Sequence, residues 1–216
     1  MHAQSHLFQT ATATLAALPG YIGGAWGFRQ DIRASGPISL SWTVAVAALG
    51  GLLGALLLLV TPKETFSALV PWLLLGATLI FAAGPALVRR VLRNGGGLPK
   101  LPALLLLLAV SIYGGYFNGG LGIMLLAAFG FVGLTNLHEM NGLKSLMSAI
   151  LSAVSVATYS AAGLIDWRSA LVLGLSCALG GFIGAHLARR ITNMLALRIF
   201  ITLIGLGMAA AFFMAR

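Results

Sequence analysis

Two groups of side chains in this sequence could bind an anion. The first lies in the stretch SIYGGYFNGGLGIMLL at 111–126, where Asn118 offers an amide beside Gly119 and Gly120. Each glycine disfavours a helix by about 1 kcal/mol relative to alanine, so the run predicts a helix break. A helix that resumes after a break begins with unpaired N–H groups and a partial positive charge, which attract anions. Close helix packing is the alternative role of these glycines.

The second group is a polar stripe on the helix predicted after residue 136. Its members recur at i, i+3 and i+4 spacing, so they share one helix face: Asn141, Lys144, Ser148, Ser152, Ser155 and Tyr159. A cation, an amide, hydroxyls and no acid would suit the path of an anion. The alternatives are helix packing by the serines and snorkelling of Lys144 to the membrane surface.

The composition places both groups in a membrane. The chain is 59% hydrophobic and 8% charged, with a mean hydropathy of +1.00. A soluble domain has roughly 25% charged residues. These values predict an all-α polytopic membrane protein with the lipid bilayer as its partner. The net charge of +9 does not indicate a nucleic-acid partner, because the basic residues stand at the ends of hydrophobic runs rather than in one patch.

Neither a metal, a cofactor nor an enzymatic activity is expected. The lone Cys177 has no second cysteine for a disulfide or a metal site. The sequence contains no GxSxG, HExxH, CxxC or P-loop motif. The sequence therefore favours transport or binding over catalysis.

Hydrophobic runs bounded by charge, proline or glycine predict six helices long enough to cross a bilayer core of roughly 30 Å. They lie near 7–28, 39–61, 66–88, 140–162, 168–188 and 194–214. The stretch 101–135 between the third and the fourth is interrupted by the glycines. Its halves, 103–117 and 119–133, would each reach only about 22 Å. One long broken helix, two short spans or a re-entrant hairpin would each fit this stretch.

The positions of the basic residues favour a stretch that returns to its starting side. A single crossing would divide the 13 Lys and Arg residues into eight and five. A returning stretch leaves only three on the minority side, namely Lys63, Arg168 and Arg216. This split follows the positive-inside rule more closely. It predicts a hairpin or paired half-helices, with cytoplasmic loops at 29–38, 89–100, 134–144 and 189–193.

The sequence also contains an internal repeat. LGGLLGALL at 49–57 and LGGFIGAHL at 179–187 are identical at six of nine positions, and at the same offset 7–28 aligns with 137–158. We interpret 1–93 and 94–216 as two three-helix repeats, with the broken element of 101–135 inside the second. An odd number of spans gives the two copies opposite orientations. Inverted repeats are typical of transporters.

Several motifs resemble the TauE/SafE family of sulfite exporter-like permeases: YGGYFNGGLGIMLLAAFGFVG, LHEMNGLKSLMSAI, AGLIDWRSALVL and LGGFIGAHLARRI, in this order, with TATATLAALPGYIGGAWGFRQDIR in the first half. The resemblance implies a multi-pass permease of the cell inner (plasma) membrane with two related halves. It also implies transport of sulfite, sulfonates or related organic anions, often outward.

This sequence departs from the family pattern in two respects. The family's first glycine-rich element, which would precede 7–28, is absent, so we expect a shortened first repeat. Ala13 also stands where the family often has an amide.

The resulting hypothesis is an anion site between the two halves, used by alternating access. Its substrate-binding residues would come from the break, the stripe and the first helix: Asn118, Gly119, Gly120, Asn141, Lys144, Ser148, Thr10, Thr12 and Thr14. The alternatives are a non-transporting membrane subunit derived from a permease and a permease for another small solute. A homo-oligomer is compatible with each of them.

Overall fold

The computed structural model describes residues 5–33, 36–93, 97–188 and 194–214. These ranges form eight α-helices: α1 (Ser5–Gly27), α2 (Leu40–Val60), α3 (Lys63–Arg93), α4 (Lys100–Tyr116), α5 (Leu121–Val132), α6 (Leu137–Ala161), α7 (Trp167–Ala188) and α8 (Met194–Met214). Each predicted span coincides with one of these helices, which confirms the all-α class. Within the described ranges, three segments are long and apolar enough to cross a membrane: Leu40–Val60, Lys63–Gly84 and His138–Ala161.

The glycine break turns the chain back on itself. Helix α4 ends at Tyr116 and α5 begins at Leu121. The backbone N–H of Leu98, just before α4, donates a hydrogen bond of 2.9 Å to the carbonyl of Phe131 near the end of α5. The two helices therefore form a hairpin that is closed at its base. A hairpin is one of the three arrangements that the sequence allows for 101–135.

Three of the four loops predicted to be cytoplasmic meet at one end of the bundle. A Cβ on Gly36 would lie 3.4 Å from Cγ1 of Val132, and one on Gly142 would lie 3.3 Å from Cβ of Phe28. These contacts bring 29–38, the hairpin base and the start of α6 together. The fourth loop, 189–193, lies outside the described residues.

Helices α1 and α6 run in opposite directions. A Cβ on Gly24, late in α1, would lie 2.8 Å from Oγ of Ser145, early in α6. At the other end, Oγ1 of Thr12 accepts a hydrogen bond of 3.4 Å from the backbone N–H of Asp166, which follows α6. Contacts therefore join the end of α1 to the start of α6 and the start of α1 to the end of α6.

Helices α2 and α7 also run in opposite directions. Ile38, just before α2, belongs to a buried cluster with Val132. Leu58, near the end of α2, belongs to a second cluster with Ile165, just before α7. Helix α2 therefore ends at the side of the bundle where α7 begins.

Small residues allow α2 to pack closely against the hairpin. A Cβ on Gly54 would lie 2.6 Å from the backbone nitrogen of Tyr116, and one on Gly115 would lie 2.6 Å from the carbonyl oxygen of Gly51. No real Cβ fits at such distances, so glycine is required on both sides of this crossing. This packing fixes the position of the hairpin tip against the rest of the bundle.

Candidate functional site

A cavity of about 730 Å³ lies between α1, α3 and the break of the hairpin. Residues at helical spacing on α1 and α3 provide two of its walls, and the break provides the third. The lining residues are Gln9, Thr10, Ala13, Thr14, Ala17 and Tyr21 on α1, Lys63, Phe66, Ser67 and Val70 on α3, and Phe117, Asn118 and Gly119 at the break.

The break has an unusual backbone that directs its polar groups. Among the described residues, Asn118 is the only non-glycine with a positive φ, at 60°. Asparagine tolerates this left-handed conformation better than most residues. Gly120 follows with a φ of 75°, and the hydroxyl of Tyr113 donates a hydrogen bond to the carbonyl of Gly119. The reversal is therefore held by backbone and side-chain groups together.

The break is also joined to the first half of the chain. The hydroxyl of Tyr21 on α1 donates a hydrogen bond of 3.3 Å to the amide oxygen of Asn118. Because this bond occupies the oxygen, the amide nitrogen of Asn118 is left as the donating end of the side chain. Both residues line the cavity and are partly buried.

The cavity combines one cation with neutral polar groups. Among the lining residues that the structure describes, Lys63 is the only charged one and none is a carboxylate. Gln9, Lys63 and Ser67 are exposed, whereas Asn118 and Tyr21 are partly buried. The cavity thus leads from a polar rim at the start of α3 to the break. This distribution of charge suits an anion and disfavours a cation.

The structure brings together only some of the residues predicted for the site. Asn118, Gly119, Thr10 and Thr14 line the cavity. The hydroxyl of Thr14 donates to the carbonyl of Thr10 at 2.8 Å, so its proton is already used within α1. Gly120 and Thr12 are not lining residues, and Thr12 instead contacts the residue before α7. Ala13, which replaces the family's amide, does line the cavity.

The polar stripe of α6 lies outside the cavity lining. Lys144 donates a hydrogen bond of 2.9 Å to the amide oxygen of Asn141, and its stem lies 3.4 Å from a Cβ built on Gly122. Farther along, Ser155 donates to the carbonyl of Gly51 at 3.3 Å. Tyr159 likewise donates to the carbonyl of Gly115, at 2.8 Å. The distal part of the stripe therefore serves helix packing, the alternative that the sequence left open.

Four polar lining residues were not predicted from the sequence: Gln9, Tyr21, Lys63 and Ser67. Gln9 lies one helical turn before Ala13, and Tyr21 lies at i+7 from Thr14. That spacing along α1 was a usable signal. Lys63 carried no such signal, because a lysine at a helix start resembles an ordinary interfacial anchor.

An apolar helical bundle with helices long enough to cross a bilayer is the architecture of a helical membrane protein. The chain belongs to the sulfite exporter TauE/SafE family, whose model matches residues 6–212. It is similar to the probable membrane transporter protein ORF9 of a Sinorhizobium species, with 26% identity over 189 residues. That match covers 84% of this chain and 65% of the relative, so the chain spans less than two thirds of the relative's length. No solved structure matches the chain.

Proposed function

We propose that this chain is a multi-pass inner-membrane permease that moves small anions by alternating access, with the cavity between α1, α3 and the break as its substrate site. Sulfite, sulfonates and related organic anions are the proposed substrates. The family's description as sulfite exporters supports this choice of chemistry.

The observation that carries the proposal is the charge of the cavity. Lys63 is the one charged residue among the described lining, and its companions near the rim are the neutral side chains of Gln9 and Ser67. Asn118 adds an amide at the break. An anion bound here would be attracted by the ammonium group and could accept hydrogen bonds from the neutral groups. Phe66, Val70 and Phe117 would contact the uncharged part of an organic anion.

The helix directions support two inverted halves, 1–93 and 94–216. Helix α1 is antiparallel to α6, and α2 is antiparallel to α7, as an inverted repeat requires. The contacts are also reciprocal, because α1 packs against α7 while α2 packs against α6. Rocking of one half against the other would open the cavity alternately to the two sides. The exposed apolar faces of α7 and α8 would then contact lipid.

Sulfite efflux from loaded proteoliposomes tests this proposal. Lys63→Gln is expected to raise the KM for sulfite about tenfold, the effect of losing about 1.4 kcal/mol of binding free energy, whereas Lys63→Arg retains most of the activity. Lys100→Gln is the matched control. Lys100 lies at the opposite end of the bundle, where its ammonium is 5.7 Å from the ring centre of Trp42. An unchanged KM in Lys63→Gln would remove the cavity as the substrate site.

The same assay separates the two alternative functions. Efflux of an uncharged or cationic solute, with none of sulfite or sulfoacetate, would indicate a permease for another small solute. No flux of any of these solutes through correctly folded protein would favour a non-transporting membrane subunit.

A further inference from the structure

The cation predicted from the sequence and the cation of the cavity are two different lysines. Lys63 begins α3 at one end of the bundle, whereas Lys144 lies two turns into α6, counted from the end where the hairpin base and 29–38 meet. Lys144 is not a lining residue of the cavity. The polar groups that the sequence assigned to a single site are therefore distributed over two places.

Lys144 and Asn141 form a pair of fixed orientation. The ammonium of Lys144 lies 2.9 Å from the amide oxygen of Asn141. Because an ammonium can only donate, the amide oxygen of Asn141 must face it. Lys144 is partly buried about 10 Å along α6. Its partner in this hydrogen bond is neutral, so its charge is not balanced by a carboxylate there.

Ser148 adds a third donor on the same helix face, because residues 141, 144 and 148 follow i, i+3 and i+7 spacing. Its side chain is fully buried, and its hydroxyl has no hydrogen-bond partner within the described ranges. The hydroxyls of Ser152 and Tyr116 also lack a partner there, whereas other buried hydroxyls are hydrogen-bonded. That of Ser111 donates to the carbonyl of Leu107, four residues earlier, at 2.7 Å. An unpartnered buried hydroxyl calls for a water or a ligand.

Lys144, paired with Asn141, lies against the start of α5, next to the break. The Cδ atom of Lys144 would be 3.4 Å from a Cβ on Gly122, in the first turn of α5. Gly119, three residues earlier, lines the cavity. The start of α5 thus adjoins both a lining residue of the cavity and the stem of Lys144.

We propose that Lys144, oriented by Asn141, and Ser148 form a second anion-binding station, separated from the cavity by the first turn of α5. This inference rests on the proposed function. An anion moving between the two ends of the bundle would be held by Lys63 on one side of the break and by Lys144 on the other. The ammonium of Lys144 and the hydroxyl of Ser148 can both donate hydrogen bonds, so the station would select a small oxyanion.

Transport measured separately from the two faces tests this inference, using right-side-out and inverted membrane vesicles with sulfite as the probe. Lys144→Gln is expected to raise the KM about tenfold from the face of the hairpin base, with less than a twofold change from the other face. Lys63→Gln is expected to show the reverse asymmetry. Equal increases from both faces in both variants would indicate one shared site and overturn the proposal. Wild-type vesicles without sulfite flux would instead refute the proposed function.

Ser148→Ala distinguishes a ligand from a structural role. Removing an unpartnered buried hydroxyl is expected to leave the melting temperature unchanged or raise it. The station predicts a rise in KM of about fivefold from the face of the hairpin base, the effect of one lost hydrogen bond. A lower melting temperature with an unchanged KM would overturn the assignment of Ser148. Ser111→Ala is the control, because its hydroxyl is bonded within its own helix.

Discussion

The hydroxyl of Tyr21 and the amide oxygen of Asn118 lie 3.3 Å apart, so one hydrogen bond joins the first helix of the chain to the break of the hairpin. Both residues line the cavity. A relative movement of α1 and the hairpin must break or rearrange this bond, which makes its two residues informative sites for substitution.

Asn118→Gly should separate the two roles of the asparagine. Glycine adopts the φ of 60° without strain but has no amide. We expect unchanged thermal stability in detergent and a higher KM for sulfite efflux. Asn118→Ala should also lower the free energy of unfolding by about 1 kcal/mol, because alanine disfavours the left-handed region. A glycine variant with the wild-type KM would show that the amide does not contact substrate.

Thr10 and Thr12 provide a matched pair on one helix. Thr10 lines the cavity, whereas Thr12 accepts the hydrogen bond from the backbone N–H of Asp166. Thr10→Val should therefore raise the KM for sulfite. Thr12→Val should leave the KM unchanged but lower the unfolding free energy by about 1 kcal/mol, since the N–H loses its acceptor. The opposite result would place the substrate path on the other face of α1.

Gly54→Ala should disrupt the packing of α2 against the hairpin. Its Cβ would lie 2.8 Å from the carbonyl carbon of Gly115, where only backbone could move aside. The expected loss is about 1–3 kcal/mol of unfolding free energy, measured by thermal or denaturant unfolding in detergent. Gly76→Ala is the control, because a Cβ there would meet nothing within 4 Å. This variant should be more stable by up to about 1 kcal/mol.

We expect Asp166 to make the stability of the protein at the start of α7 depend on pH in the acidic range. It lies in the connection between α6 and α7, where its Oδ1 accepts hydrogen bonds from the backbone N–H groups of Arg168 at 3.1 Å and Ser169 at 3.3 Å. The hydroxyl of Ser169 donates to Oδ2 at 2.6 Å. Chiefly because of that side-chain bond, the pKa of Asp166 lies below its usual value.

The lowered pKa of Asp166 determines how the stability of the protein changes with pH. Because its pKa is lowered in the folded state, ionised Asp166 contributes fully to the free energy of unfolding above the ordinary pKa of about 3.9. This contribution is lost as the pH falls through the lowered pKa. The melting temperature of wild type should therefore exceed that of Asp166→Ala by a constant amount around neutral pH. This difference should decrease below about pH 4. Asp166→Asn keeps an acceptor but does not titrate. The difference in melting temperature between Asp166→Asn and Asp166→Ala should therefore not decrease at low pH. A melting-temperature difference between wild type and Asp166→Ala that does not change with pH would contradict the prediction.

The helices and the fold-back were predictable because each depends on local sequence. Long apolar runs predict the helices, and the glycines predict the break. The positions of the basic residues predict which loops share an end of the bundle. The site was harder to predict, because the cavity lies between α1, α3 and the break, which are distant from one another in the sequence. Spacing alone shows that Ser155 and Ser148 share a face, but not that Ser155 meets the carbonyl of Gly51 while Ser148 has no partner among the described residues.

The closed base of the hairpin has a consequence for how the protein is made. With 17 and 12 residues, α4 and α5 are each shorter than the roughly 20 residues that a stable crossing requires. Neither helix alone would be retained in the bilayer as it leaves the insertion machinery. We expect the two to enter together, after the Leu98–Phe131 bond has formed, and to dock against an α2 that is already inserted. The order of synthesis would then decide when the polar break first becomes shielded from lipid.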